Sequence, residues 1–191
     1  MRAVSIVQSP ADDEELVRQV AGGQLDSLGV LFDRYHRPLR RFLSRLHVPP
    51  DDLDDLVQST FLQLPRAATR FERGRSVKVW LFGLATVMVK RHRRALARLA
   101  RKVSALSREP AVKPPRTPAD LVVEEESARR AQKALADLSR KKREVFVMVV
   151  LEKLSGEAVA QALGIPVGTV WTRLHHARKE LRELLGEDEN P

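Results

Sequence analysis

The chain has 191 residues, 43% of them apolar, and 34 Lys and Arg against 25 Asp and Glu give a net charge of +9. That length permits one or two domains with buried cores, and the positive balance points to a polyanion such as nucleic acid. No cysteine is present, which excludes disulfides, thiolate metal sites and thiol catalysis.

The longest apolar run, VFVMVVL at 145–151, falls far short of the roughly 20 residues that a membrane-spanning helix needs. The N-terminus carries one Arg and a brief apolar patch at 3–7 ahead of Asp12, Asp13, Glu14 and Glu15, which is not the pattern of a signal peptide. The expectation is a soluble cytoplasmic protein without membrane insertion.

Residues 12–20 open with carboxylates that favour a helix N-terminus. Residues 25–46 place Leu28, Leu31, Phe32, Tyr35, Leu39, Phe42, Leu43 and Leu46 at helical spacing, with Pro38 expected to kink or break the helix. Pro49, Pro50 and Asp51 start a third helix through Leu53, Leu56, Val57, Thr60, Phe61 and Leu64. Gly74 marks a loop. Ser76 caps a helix that carries Val79, Trp80, Phe82, Leu84, Val87 and Met88 into the basic tract Lys90, Arg91, His92, Arg93, Arg94. Trp80 and Phe82 sit at core spacing, so packing is favoured over base stacking.

A Pro-rich, poorly apolar stretch with Pro110, Pro114, Pro115 and Pro118 reads as a linker. Helices are expected again at 122–138 and 141–153. The β-branched run in the second favours a strand, but its charged flanks and the lack of a partner strand favour a fully buried helix. The predicted fold is all-α: two helical domains, 12–101 and 121–187, joined by a linker at 102–120.

Residues 154–185, LSGEAVAQALGIPVGTVWTRLHHARKELRELL, have the form of a helix-turn-helix. Ser155 is a good N-cap. Val159, Ala160 and Leu163 share a face, Gly164 stops the first helix, Ile165 fills the angle, and Pro166 prevents the first helix from resuming. Val170, Leu174, Ala177 and Leu181 give the second helix a buried stripe. Thr169, Thr172, Arg173, His176 and Lys179 are left to reach base edges and phosphates.

No catalytic constellation is apparent, and neither a cofactor nor a metal is implied. The five histidines lack zinc spacing, and His175 and His176, being adjacent, point to different faces of a helix. The acidic cluster Asp51, Asp52, Asp54, Asp55 lacks the turn Gly and terminal Glu of a calcium loop. It reads as a helix N-terminus complementing the dipole, or as a docking face for another protein.

Three motifs in order resemble the short sigma factors of bacterial RNA polymerase, the extracytoplasmic-function (ECF) group. DLDDLVQSTF (52–61) is similar to the region 2 helix that docks on the polymerase clamp. RFERGRSVKVWLFGLA (70–85) is similar to the segment that recognises and melts the −10 element, and 134–184 resembles region 4, which reads the −35 element. The resemblance implies a factor that directs promoter-specific initiation without an active site of its own. Its partners would be core RNA polymerase (clamp and flap), promoter DNA and an anti-sigma factor. It implies core docking by Asp52, Asp54, Asp55, Leu56, Gln58 and Phe61. It implies −10 contacts from Arg70, Arg73, Arg75, Lys78, Val87, Lys90, Arg91 and Arg94, and −35 contacts from Thr169, Trp171, Thr172, Arg173, His175, His176 and Lys179.

The chain departs from the family pattern where an acid is usual at Ser59, an aromatic at Pro65, and Arg, Asn and Asp at Gly83, Val87 and Arg91. Trp171 stands in place of a basic residue and His176 in place of a frequent Arg. The alternative is a helix-turn-helix regulator binding operators alone as a dimer, and a nucleic-acid enzyme stands third.

Overall fold

The computed structural model describes residues 12–106 and 124–186. The apolar patch at 3–7, the four linker prolines and the expected helix start at Val122 lie outside the described residues. All regular structure among the described residues is helical.

Helix α1 (Asp13–Ala21) is capped by Asp12, whose carboxylate accepts from the Glu14 N–H, and it buries Leu16, Val17 and Val20. Helix α2 (Leu25–Arg45) buries Leu31, Leu39, Phe42 and Leu43. It continues through Pro38, so the proline does not break the helix. Proline removes one backbone bond, but the fully buried leucines on both sides anchor the helix in one core.

Helix α3 (Pro50–Leu62) starts on a proline at its first turn, where the missing N–H is no loss. The segment expected to continue to Leu64 breaks instead, and α4 (Leu64–Ala68) begins separately. Pro65 cannot donate into the preceding turn, which ends α3. Helix α5 (Val77–Leu106) is the long element, 30 residues or about 45 Å. It passes the expected domain edge at residue 101, so the first part of the expected linker is helical. Phe82 on α5 stacks flat on Phe42 of α2, centroids 4.1 Å apart, and Trp80 meets Phe71 edge-on. Both aromatics are core residues, as their spacing indicated.

The C-terminal half comprises α6 (Glu124–Asp137), α7 (Arg140–Phe146), a π-helical turn (Val147–Leu151), α8 (Gly156–Leu163) and α9 (Val167–Leu185). The valine run is helical as expected but not fully buried: Val145, Val147 and Met148 are interior, while Leu151 is exposed. The wider turn relaxes the crowding of successive β-branched side chains against the preceding turn. Lys153 then takes a left-handed conformation (φ 55°) that redirects the chain into α8.

Arg143 is a buried charge with an identifiable task. Its guanidinium donates to the carbonyls of Leu135 (2.7 Å), Ala136 and Leu138 (2.8 Å), acceptors that the end of α6 leaves unpaired. A fourth bond, 3.2 Å, reaches the Leu46 carbonyl at the end of α2 and ties the two halves together. Burial, then the nearby Arg93 charge, lowers its pKa, yet a guanidinium stays protonated.

Candidate nucleic-acid interface

The helix-turn-helix forms from the punctuation seen in the sequence. Ser155 Oγ accepts from the Ala158 N–H at 3.2 Å, and Gly164 adopts φ 63°, ψ 43°, where a side chain would be strained. Ile165 N–H closes the turn on the Ala160 carbonyl. Val170, Leu174, Ala177 and Leu181 are all buried.

The seven candidate −35 residues are not equivalent. Trp171, Thr172, His175, His176 and Lys179 are exposed, whereas Thr169 and Arg173 are half-buried. At about 100° per residue, Trp171, His175, Lys179, Thr172 and His176 span one continuous arc, with Arg173 beyond its edge. Arg173 lies close enough to Glu144 to pull that carboxylate's pKa down, against the larger upward push of burial. His175 and His176 are neighbours rather than divergent, their rings edge-to-face at 5.6 Å. Rings on adjacent residues still reach one another when both lean over the same exposed surface.

Trp171 has two surroundings. It is 48% exposed, yet its six-membered ring lies where a side chain on Gly156 would otherwise stand, 2.4 Å from an ideal Cβ. With Phe146, Leu174 and Arg178 it also lines a groove of about 650 Å³. Gly156 therefore makes room for the indole against α8.

On α5, Val87, Lys90, Arg91 and Arg94 are exposed at i, i+3, i+4, i+7 and form one face. Arg70 and Arg73 are exposed in the preceding loop, and Arg75 and Lys78 are half-buried. Lys78 pairs with Glu152 (2.9 Å) and lies 5.3 Å from the Phe82 centroid. Arg75 faces Glu157 and Gln161 across a cleft. The two therefore lie toward the C-terminal half, away from the exposed α5 stripe.

The candidate docking set also divides. Asp54, Asp55 and Gln58 are exposed and Asp52 is half-buried, 3.1 Å from His92 Nε2. Arg40 pairs with Asp54 at 2.8 Å. Leu56 and Phe61, each 4% exposed, are core residues and unavailable to a partner in this conformation. Helical periodicity explains this, because Leu53, Leu56, Val57 and Phe61 lie on the side of α3 that faces α2 and α5. The apolar surface near this face comes from Leu62 (68% exposed) and Phe32, which meets Phe61 edge-on. Sequence reading treated Phe32 as part of the core stripe and gave Leu62 no role.

Glu152 was likewise missed. It accepts from Arg45 (2.6 Å) and Lys78, joining both halves, and only the tertiary fold brings these three together. No group of His, Cys, Asp or Glu with metal-holding geometry occurs among the described residues. No described helix is long and apolar enough to cross a membrane.

Comparison with known proteins matches this architecture. The family model for sigma-70 region 2 matches residues 31–99, and that for sigma-70 region 4 matches 128–181. The ECF RNA polymerase sigma-E factor of Escherichia coli (strain K12) is 28% identical over 176 residues, covering 88% of this chain and 92% of that protein. The ECF sigma factor SigW of Bacillus subtilis (strain 168) is 27% identical, with 88% and 94% covered. Among solved structures, CnrH in complex with the cytosolic domain of CnrY superposes with a TM-score of 0.65 at 29% identity, covering 93% of this chain and 99% of that one. The sigma factor RpoE in complex with the anti-sigma factor NepR from Bartonella quintana gives 0.66 at 27% identity, covering 84% and 98%.

Proposed function

The chain belongs to the ECF sigma factors of bacterial RNA polymerase, and from that premise we propose how its own residues divide the work. The protein binds core RNA polymerase and directs promoter-specific transcription initiation. What carries the reading is that both sigma regions occur in order in one chain, the first ending in a long basic helix and the second in a helix-turn-helix.

Domain 12–101 is the unit that docks on polymerase and handles the −10 element, 121–187 reads the −35 element, and 102–120 joins them. The exposed acids Asp54 and Asp55, with Gln58, contact the clamp, and exposed Phe32 and Leu62 supply apolar surface beside them. Val87, Lys90, Arg91 and Arg94 face the −10 DNA, where the cations track phosphates and Val87 can pack against a base. Arg70 and Arg73 add phosphate contacts. Trp171, Thr172, His175, His176 and Lys179 enter the −35 major groove, and Arg173 contacts phosphate at its edge. The protein supplies binding and positioning and no chemistry of its own. It acts in the cytoplasm, where its polymerase is. The complex of RpoE with the anti-sigma factor NepR supports an anti-sigma factor as a further partner.

The test is in vitro transcription with core enzyme on fragments of the host genome. Specific transcripts that depend on added protein are expected. No transcript on any fragment, together with an operator footprint by the protein alone, would instead establish a stand-alone helix-turn-helix regulator.

A further inference from the structure

We propose that Gly156 is a positioning residue for −35 recognition: the space it leaves seats the Trp171 indole against α8, and the exposed part of that ring recognises thymine methyl groups. Gly156 is the first residue of α8, directly after the Ser155 cap. Its backbone gives no reason for glycine. Its φ, unlike that of Gly164, is not positive, and alanine is the better helix former. The reason comes from α9. An ideal Cβ at position 156 would lie within 2.9 Å of the indole Cζ2, Cε2 and Cη2. These are the nearest atoms to it, and the glycine is buried, so the indole is what covers it.

The seat fixes the ring without hiding it. A tryptophan has only two side-chain torsions, and ordering it costs little entropy for the area it presents. Contact with α8, beside Phe146 and Leu174 in the adjoining groove, holds the ring in one orientation while 48% of the residue stays exposed. Trp171 is the fifth residue of α9, within the N-terminal turns that bring a recognition helix to base edges. Thr172, His175, His176 and Lys179, the other exposed members of the arc, present polar groups. Trp171 alone presents a large apolar surface. The apolar feature of the major groove is the C5-methyl of thymine. A ring held against α8 distinguishes a methyl from its absence, whereas a freely turning ring would accommodate either.

Gly156→Ala separates the seat from the fold. The added methyl meets the far end of a side chain, so the indole swings off α8 and the helix-turn-helix backbone stays where it is.

The inference rests on the −35 reading of α9, and the experiment tells the two apart. The full-length protein with core polymerase selects from a randomised −35 library. Each thymine of the preferred sequence is then replaced singly by deoxyuridine, which lacks the methyl. Promoter use should fall about fourfold at one or two positions, the worth of one buried methyl. Gly156→Ala should abolish that effect and make the fluorescence more quenchable by acrylamide, a change that reports Trp171 because Trp80 is buried. Its thermal midpoint should fall no further than that of Trp171→Arg, and adding it to Trp171→Arg should alter the preference no more. The positioning role is overturned if no thymine methyl matters to the unaltered protein, or if Gly156→Ala keeps the full effect, even while −35-specific transcription persists. It is overturned equally if Gly156→Ala shifts the preference as much without the indole as with it, or if it weakens binding to core polymerase, which would make the ring a docking residue. Failure of Gly156→Ala to fold also overturns it, since the indole would then be core or the glycine a backbone requirement. A library that yields no preferred −35 sequence would instead remove the reading beneath it.

Discussion

Arg143 is a buried charge that the sequence gives no reason to expect beneath the surface. Its four carbonyl acceptors would be left without a partner in Arg143→Met, which preserves the apolar stem. A hydrogen bond to a charged group is worth about 1.5–3 kcal/mol, and each orphaned acceptor adds a desolvation cost. The variant is therefore expected to lose roughly 3 kcal/mol in chemical denaturation, and a loss below about 1 kcal/mol would show that water replaces the guanidinium. Trp171 and Arg173 differ in a way that sequence spacing did not reveal. Half-burial of an indole, whose ring offers about 150–250 Å², is worth about 2–3 kcal/mol at 25 cal/mol per Å². Trp171→Arg should cost up to that amount and also change the preferred −35 sequence in a randomised library. Arg173→Ala, beside Glu144 at the edge of the arc, should lower the use of all −35 sequences alike. A base-specific loss for Arg173, or an unchanged preference for Trp171→Arg, would reverse these assignments.

At the scale of elements, amphipathic periodicity carried the helices, and the same periodicity sorts the residues within them. In α3 Leu53, Leu56 and Phe61 turn inward while Asp54, Asp55 and Gln58 turn outward, so a docking motif read as one string is half core. Asp55→Lys with Gln58→Ala should weaken core polymerase binding about tenfold or more in a fluorescence titration, with little change in thermal midpoint, because exposed substitutions seldom cost more than about 0.5 kcal/mol. Leu56→Ala should do the opposite, lowering stability by about 2–5 kcal/mol as buried leucine truncations do. Unchanged core affinity in the Asp55/Gln58 double variant would remove this face from the docking model. Proline shows how context rules an element: Pro38 is carried through α2 by a buried stripe on either side, whereas Pro65 ends α3 where only a short turn follows.

For the whole molecule, the junction of the two halves makes stability depend on pH. His47, at φ 55° after α2, is held below the ordinary histidine pKa of 6.5, first by burial and then by the Arg143 charge. Arg93 on α5 acts in the same direction, while Asp137 and a hydrogen bond to the Gln132 backbone on α6 oppose it. The unfolded chain takes up this proton near pH 6.5 and the folded chain only at lower pH, so stability is intact above 6.5 and declines as pH falls below it. Glu144, raised above its ordinary 4.5 chiefly by burial, works in the opposite sense. The thermal midpoint should fall between pH 7.5 and 5.5, and His47→Asn, which tolerates positive φ, should flatten that slope. An equal slope in the variant would assign the effect elsewhere.

The sequence by itself determined the all-α class, the helix-turn-helix with its turn at Gly164, the buried stripe of α9 and the family. Each of these is written in local signals: caps, helix breakers, and a 3.6-residue period that one helix expresses without reference to another. Tertiary structure alone decided which members of a motif face inward, as at Leu56 and Phe61, that Arg143 is a buried cap shared by two domains, and that Trp171 rests on Gly156. Those outcomes depend on which surfaces meet across long sequence separations, and a side chain's neighbours from another element leave no periodic trace in its own.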